Sequence, residues 1–81
     1  MAKGKSLCDL NEGQSAVVAG IINKGAMRRR LFDLGVVAGT KISCRQKSPS
    51  GDPAAYEIRG AVIALRTEDS SGILVWECAK E

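Results

Sequence analysis

Short apolar segments alternate with polar, glycine-containing turns along this chain, and the pattern predicts five strands and one helix. Residues 14–22 are rich in Val and Ile and lack a polar face, which predicts a strand covered on both sides. Residues 41–47 alternate strictly, with Ile42 and Cys44 on one face and basic or hydroxyl side chains on the other. This alternation predicts a half-buried strand with a basic outer face. Three further strands are predicted at 54–59, 61–66 and 73–78.

The single predicted helix spans residues 24–34. Its apolar side chains recur at positions i, i+4 and i+7 and form one stripe: Met27, Leu31 and Leu34. Asn23 is the expected N-cap, and Gly35 suits the left-handed position that follows a helix. A helix this short is stable only when its apolar stripe packs on other elements, so we expect it to lie against the sheet.

These elements predict a mainly β fold in one domain over residues 1–81. There is no alternation of strands and helices, and most connections are too short for parallel crossovers. Residues 48–53 and 67–72 are the clearest polar turns. We therefore predict a small antiparallel barrel of about five strands, with the helix inserted after the first strand.

Composition limits the possible functions of the chain. With 44% hydrophobic and 26% charged residues it is typical of a globular domain. No apolar run approaches the roughly 20 residues that a membrane helix needs, and residues 1–5 are not followed by the apolar segment of a signal peptide. There is no histidine, and no nucleophile has a recognisable base beside it. These observations predict a cytoplasmic binding module that is not an enzyme and does not insert into membranes.

Metal ligands are sparse. The three cysteines include no C-x-x-C pair and would have to converge in space to hold a metal: Cys8, Cys44 and Cys78. The simpler interpretation is that Cys44 is a core residue and the other two are incidental. A selective ferrous site normally uses His and carboxylate ligands, and Asp52 and Glu57 are isolated in the sequence. We therefore predict no metal site and no cofactor.

The charge is unevenly distributed. The chain carries a net +3, but residues 24–47 hold seven basic side chains against one acid, a net +6, and the remainder holds five against eight, a net −3. Such a patch could face an acidic protein, a nucleic acid or anionic lipid, or could simply be solvated. Base recognition would need aromatic or amide side chains beside the arginines, and only Phe32 is near, so nucleic acid is the weaker alternative.

The last predicted strand leaves one question open. If Ile73 and Val75 point inward, Leu74 and Trp76 point outward, and an exposed Leu–Trp pair would suit an interaction anchor. If the amino-terminal segment covers this pair, its role is structural, and we favour that interpretation.

An ordered series of short motifs spans nearly the whole chain: Leu7-x-x-Leu10-x-x-Gly13, Arg29-Arg30-Leu31-x-x-Leu34-Gly35, Gly39-Thr40, Gly51-Asp52-Pro53, Ala64-Leu65-Arg66 and Ile73-x-Val75. In this order and spacing the series resembles the FeoA family, small cytoplasmic accessory proteins of bacterial ferrous iron transport. Ala38 departs from the pattern, because a proline commonly precedes the turn glycine there.

The resemblance implies an SH3-like barrel and a role beside FeoB, a large membrane transporter with a GTP-binding domain, whose activity or assembly such proteins are proposed to modulate. An iron-dependent regulatory module and a nucleic-acid-binding barrel are the alternatives. The residues predicted to contact the transporter lie on the helix, on strand 41–47 and in loop 48–53: Lys24, Met27, Arg28, Arg29, Arg30, Leu31, Lys41, Arg45, Lys47 and Asp52.

Overall fold

The structure is a computed structural model, and it describes residues 4–50 and 52–77. Its strands are β1 (Gly4–Ser6), β2 (Ser15–Ile21), β3 (Lys41–Lys47), β4 (Ala54–Ile58), β5 (Ala61–Leu65) and β6 (Ile73–Glu77). Its helices are α1 (Gly25–Asp33) and α2 (Thr67–Ser70), and a 3-10 turn over Leu7–Asp9 follows β1. The five predicted strands and the predicted helix are all present, each within two residues of its predicted ends.

All six strands form one antiparallel sheet in the order β1-β6-β2-β3-β4-β5. The mainly β, SH3-like fold is confirmed, with three corrections. The sheet has six strands, the helix follows the second strand, and within residues 4–50 and 52–77 no ladder joins β5 to β1, so the barrel is not closed. Sequence patterns missed β1 because a three-residue strand of Gly, Lys and Ser has no apolar alternation. Its pairing with β6 creates it, with Lys5 opposite Val75.

The core occupies the inner face of the sheet. Its fully buried large side chains come from four strands, helix α1 and the connecting segments: Tyr56, Leu7, Leu10, Leu31, Ile42, Ile58, Ile73, Val18, Val36 and Val75. Strand β2 has one buried face rather than the two predicted, because Ala16 and Val18 are buried while Ala19 on the other face is exposed. No second layer covers that outer face in the described part of the chain.

Helix α1 begins at Gly25, one residue later than predicted. Lys24 is the N-cap and makes no side-chain capping bond, so the Asn23 cap was wrong. The Asn23 side chain instead donates from Nδ2 to the carbonyl of Asp69, at 3.1 Å. It also lies so close to Gly72 that a Cβ there would collide with its amide. A long-range contact with the end of α2 thus replaces the local capping interaction that the sequence favours.

The carboxyl end of α1 is a Schellman turn. The N–H of Val36 donates to the carbonyl of Leu31 at 2.9 Å, and the N–H of Gly35 donates to that of Phe32 at 3.0 Å. Gly35 has a φ of 96°, as predicted for the residue after the helix. The stem of Arg59, from the β4–β5 turn, packs against Gly35 so closely that a Cβ would lie 2.8 Å from Arg59 Cδ. The absence of a side chain at residue 35 therefore permits two features: the turn and the packing of Arg59.

Replacing Gly35 by alanine is expected to destabilise the protein more than the same change at Gly39. Both glycines have a left-handed φ, which disfavours alanine by about 1–2 kcal/mol, but a Cβ at Gly39 meets nothing within 4 Å. Urea unfolding of Gly35→Ala and Gly39→Ala measures the difference. The extra loss at Gly35 should shrink in an Arg59→Ala background, and equal losses at the two glycines would show that the Arg59 contact has no energetic weight.

Candidate functional site

Helix α1 packs one face into the core and exposes the other. Leu31 is fully buried and Met27 is half-buried against the core. Leu31 was predicted to contact a partner, but its side chain does not reach the surface and instead anchors the helix. The basic side chains that remain exposed on α1 and its N-cap form what we call the basic helix surface: Lys24, Arg28, Arg29 and Arg30.

Arg28 is held in place on this surface by two contacts. Its Nη1 donates a hydrogen bond to the carbonyl of Ile21 at the end of β2, at 3.0 Å. Its Cζ lies 4.7 Å from the centroid of the Phe32 ring, one helical turn away, in a cation–π arrangement. Phe32 is itself 41% exposed. A guanidinium has five N–H donors, so these contacts orient the group and leave further donors for a ligand.

Arg29 and Asp33 do not form the weak i, i+4 ion pair that their spacing predicts; within the described residues no such pair is present. Both are exposed. Together with Gly25, Arg28 and Phe32 they line a shallow, open depression of about 300 Å³. Arg29 therefore differs from its neighbour Arg28, because its charge has no intramolecular partner among the described residues and its side chain is not oriented by one.

The basic residues of β3 are divided between the two faces of the sheet. A β-bulge between Cys44 and Gln46 shifts the register, so that Lys47 pairs with the buried Ala54 and becomes half-buried. Lys41 stays exposed on the outer face. The predicted stripe of alternating basic residues is therefore wrong at Lys47, because strict alternation fails wherever a bulge adds a residue.

Two further predicted contact residues are engaged within the chain. Arg45 is exposed and lies 3.4 Å from a carboxylate oxygen of Glu57 on β4. Asp52 is exposed, and its Oδ1 accepts a hydrogen bond from the N–H of Thr67 at 2.9 Å. Asp52 thus supplies from a distant loop the carboxylate that caps the first turn of α2. Sequence analysis missed this role because the two residues are 15 positions apart.

A small polar cluster lies against the inner face of the sheet. Ser70 is buried beside the Cys8 thiol and the Tyr56 hydroxyl, and its hydroxyl donates to the carbonyl of Thr67 at 3.4 Å. Burial raises the pKa of the Cys8 and Cys44 thiols and of the Tyr56 hydroxyl above their ordinary values, so these groups stay protonated to a higher pH than usual. In the described part of the chain no three His, Cys, Asp or Glu side chains are grouped as a metal site would require. Cys78, the third predicted candidate ligand, lies outside the described residues.

The outer face of β6 is open. Trp76 is 50% exposed and Leu74 is 38% exposed. The structural interpretation of this pair is wrong, because both side chains are exposed and β1, the described part of the amino-terminal segment, pairs with the edge of β6. The two side chains and Ala19 line a groove of about 410 Å³ whose rim carries Lys5 and Asp9. The sequence indicated this groove, because Leu74 and Trp76 alternate with the inward-facing Ile73 and Val75.

The two neighbouring arginines should differ in their effect on stability. Arg28→Ala removes the bond to the Ile21 carbonyl and the cation–π contact, and we expect it to lower the free energy of unfolding by about 1 kcal/mol. Arg29→Ala is the matched control and should change it by less than about 0.5 kcal/mol, because the side chain is exposed and makes no such contact. Urea unfolding of both variants checks this, and equal effects would show that Arg28 is not held in place.

Stability should fall as the pH rises above about 9. The ordinary pKa of a thiol is 9.0, and burial raises it for Cys44 in the folded state. Above pH 9 the unfolded chain therefore loses thiol protons that the folded chain retains, which favours unfolding. The urea midpoint of the parent chain should be lower at pH 10 than at pH 7. In Cys44→Ala the difference between the midpoints at these two pH values should be smaller. An unchanged decline would assign it to other groups.

Comparison with known proteins places this geometry in a family. The family model of the FeoA domain matches residues 5–76. The chain is 35% identical over 69 residues to the Fe(2+) transport protein A/Fe(2+) transporter FeoB fusion protein of Porphyromonas gingivalis. That match covers 85% of this chain and 8% of the fusion protein, so the chain spans under a tenth of the length of this relative.

Solved structures show the same fold. The FeoA-like protein of Clostridium acetobutylicum superposes with a TM-score of 0.87 at 34% identity, covering 100% of this chain and 94% of that one. FeoA of Stenotrophomonas maltophilia, an SH3 domain protein solved with zinc, superposes with a TM-score of 0.77 at 30% identity, covering 86% of this chain and 87% of that one. No helix in the described residues is long and apolar enough to cross a membrane. The family model and both structures agree over most of the chain, and this chain belongs to the FeoA domain family.

Proposed function

We propose that this chain is a non-catalytic, cytoplasmic accessory domain of ferrous iron uptake that docks on a FeoB-type membrane transporter. In this proposal the basic helix surface contacts an acidic cytoplasmic surface of the transporter and modulates its activity or assembly. The observation that carries the proposal is Arg28, which is oriented by the Ile21 carbonyl and the Phe32 ring while it remains exposed. An arginine fixed before binding loses less conformational freedom when a carboxylate engages it.

The fusion relative supports FeoB as the class of partner. In Porphyromonas gingivalis one polypeptide carries both the transport protein A and the transporter FeoB. Covalent linkage keeps two components at a high effective concentration, which is useful when they act in contact. Without such a linkage, the same contact would depend on a docking surface of the domain itself.

Charge supports the location of that surface. The segment 24–47 carries a net +6 in a chain of net +3. Such a field speeds association with an acidic surface, and Lys41 adds to it from β3. Asp52 is less available for this contact, because its carboxylate already caps α2. The contact residues proposed on geometry are therefore the four of the basic helix surface together with Met27 at its margin.

Two observations favour a protein partner over a nucleic acid. The Phe32 ring, the aromatic side chain of α1, is engaged by Arg28 and so is less available to stack on a base. The depression beside it is also bordered by Asp33, a carboxylate that would repel phosphate. An acidic protein surface that also carries basic groups would complement both the arginines and Asp33.

Reversal of one exposed charge tests the surface. Arg29→Glu should weaken binding to the purified GTP-binding domain of the FeoB partner by about tenfold, which is about 1.4 kcal/mol, while Arg29→Lys should bind nearly as the parent does. Isothermal titration calorimetry measures both, and unfolding curves confirm that neither variant alters the fold. Affinity should also fall as salt is raised.

The same titration separates the alternatives. If Arg29→Glu binds unchanged and Trp76→Ser binds weakly, the contact lies on the outer face of β6 and the basic helix surface is excluded. If the parent chain does not bind the transporter domain but binds RNA or DNA with steep salt dependence, the accessory role itself is overturned.

A further inference from the structure

Strand β5 forms one edge of the sheet and is not protected as edges usually are. Within residues 4–50 and 52–77 it pairs with β4 only, and its sequence, Ala-Val-Ile-Ala-Leu, contains no charge and no proline. Ala61, Val62 and Ala64 are exposed, and Val62 is 61% exposed. The opposite edge is β1, which has three residues and so offers little to pair with. Proteins normally shorten, charge or cover an edge strand, because an unprotected apolar edge is a template for another strand.

The backbone of β5 can be assigned group by group. The turn that joins β4 to β5 consists of Arg59 and Gly60, both with positive φ (52° and 83°), which is the geometry of a two-residue type I′ hairpin. The residues that flank such a turn, Ile58 and Ala61, exchange hydrogen bonds, and bonded pairs then alternate along the ladder. Tyr56 and Ile63 therefore form the next bonded pair.

The intervening residues of β5 face the other way. Val62 and Ala64 lie opposite Glu57 and Ala55 as non-bonded pairs, so their N–H and C=O groups point out from the edge. No other backbone hydrogen bond in the described part of the chain uses residues 61–65. The edge thus presents two N–H groups and two carbonyls in a straight row, beside apolar side chains.

We propose that β5 pairs in antiparallel fashion with β5 of a second copy of this chain, about a two-fold axis at Ile63. In this register Val62 of one copy lies opposite Ala64 of the other, and the reverse pair is equivalent by symmetry. Each pair exchanges two hydrogen bonds, so all four outward groups of each copy are used. The two sheets then continue across the axis as one.

The side chains support a second copy as the occupant. The register places Val62 opposite Ala64 on the outer face, and it places Ala61 opposite Leu65 and Ile63 opposite its symmetry copy on the inner face, so that apolar side chains meet on both faces. Residues 61–65 bring no charge to the contact, so no like charges face each other within the strand, and no charge selects a particular foreign peptide. An isologous contact of this kind needs a strand that is complementary to itself, and β5 meets that condition.

The contact is small, and this determines its strength. One five-residue strand buries much less than the 1,200–2,000 Å² typical of stable complexes, as an order-of-magnitude comparison. We therefore expect a reversible dimer that forms at high protein concentration. It does not depend on the proposed docking to a transporter, and either inference can fail alone.

Sedimentation equilibrium of the full chain under reducing conditions tests the dimer. The mean mass should rise from 8.6 kDa toward twice that value as concentration increases from about 10 µM to about 1 mM. Ala64→Pro should remain monomeric throughout. Proline removes only the outward N–H of residue 64, so the ladder with β4 is retained, and an unfolding curve verifies the fold. Ala64→Ser, which keeps that N–H and adds little bulk opposite Val62, is the matched control and should still associate.

Amide hydrogen exchange locates the contact. The Val62 and Ala64 amides should exchange quickly at low concentration and at least tenfold more slowly at high concentration, with little change elsewhere. A chain that stays monomeric at 1 mM with fast exchange at both amides overturns the proposal. So does a dimer that persists in Ala64→Pro, because it must use another surface, of which the outer face of β6 would be the first to test.

Discussion

The burial of Leu31 is the constraint on which the basic helix surface depends. A nine-residue helix is not stable in water by itself, and α1 has no side-chain cap at its start. Leu31 fixes the helix to the core, the Schellman turn ends it, and Arg59 closes over that end at Gly35. Because the helix cannot rotate without removing Leu31 from the core, the positions of its arginines on the surface are fixed.

The structure also shows that residues of the same type do different work. In the sequence, Arg28 and Arg29 count as two equal positive charges and Asp52 counts as one negative charge. In the fold Arg28 is oriented by a carbonyl and a ring, Arg29 makes no such contact, and Asp52 caps a helix 15 residues away. The docking surface that we propose on α1 therefore combines one oriented arginine with cations that make no such contact, an arrangement that joins orientation to long-range attraction.

Much of the fold was predictable because its signals are local. Strand β3 has the predicted bounds, since alternation of Ile42 and Cys44 with polar residues directly reflects burial of one face. The features that were missed all depend on residues far away in sequence. The bulge that turns Lys47 inward depends on the register with β4, and Asn23 leaves the helix cap for the carbonyl of Asp69. The site residues were predicted as a set, but their individual roles needed these contacts.

Helix α2 links two segments that the sequence keeps well apart. The N–H of Thr67 at its start binds Asp52 of loop 48–53, and the Asp69 carbonyl in its last turn binds Asn23, which directly precedes the N-cap of α1. This four-residue helix therefore connects a surface loop to the residue that precedes the N-cap of the arginine-bearing helix. Two hydrogen bonds and one turn of helical backbone thus join this loop to the start of α1, so the capping of α2 and the placement of α1 share one element.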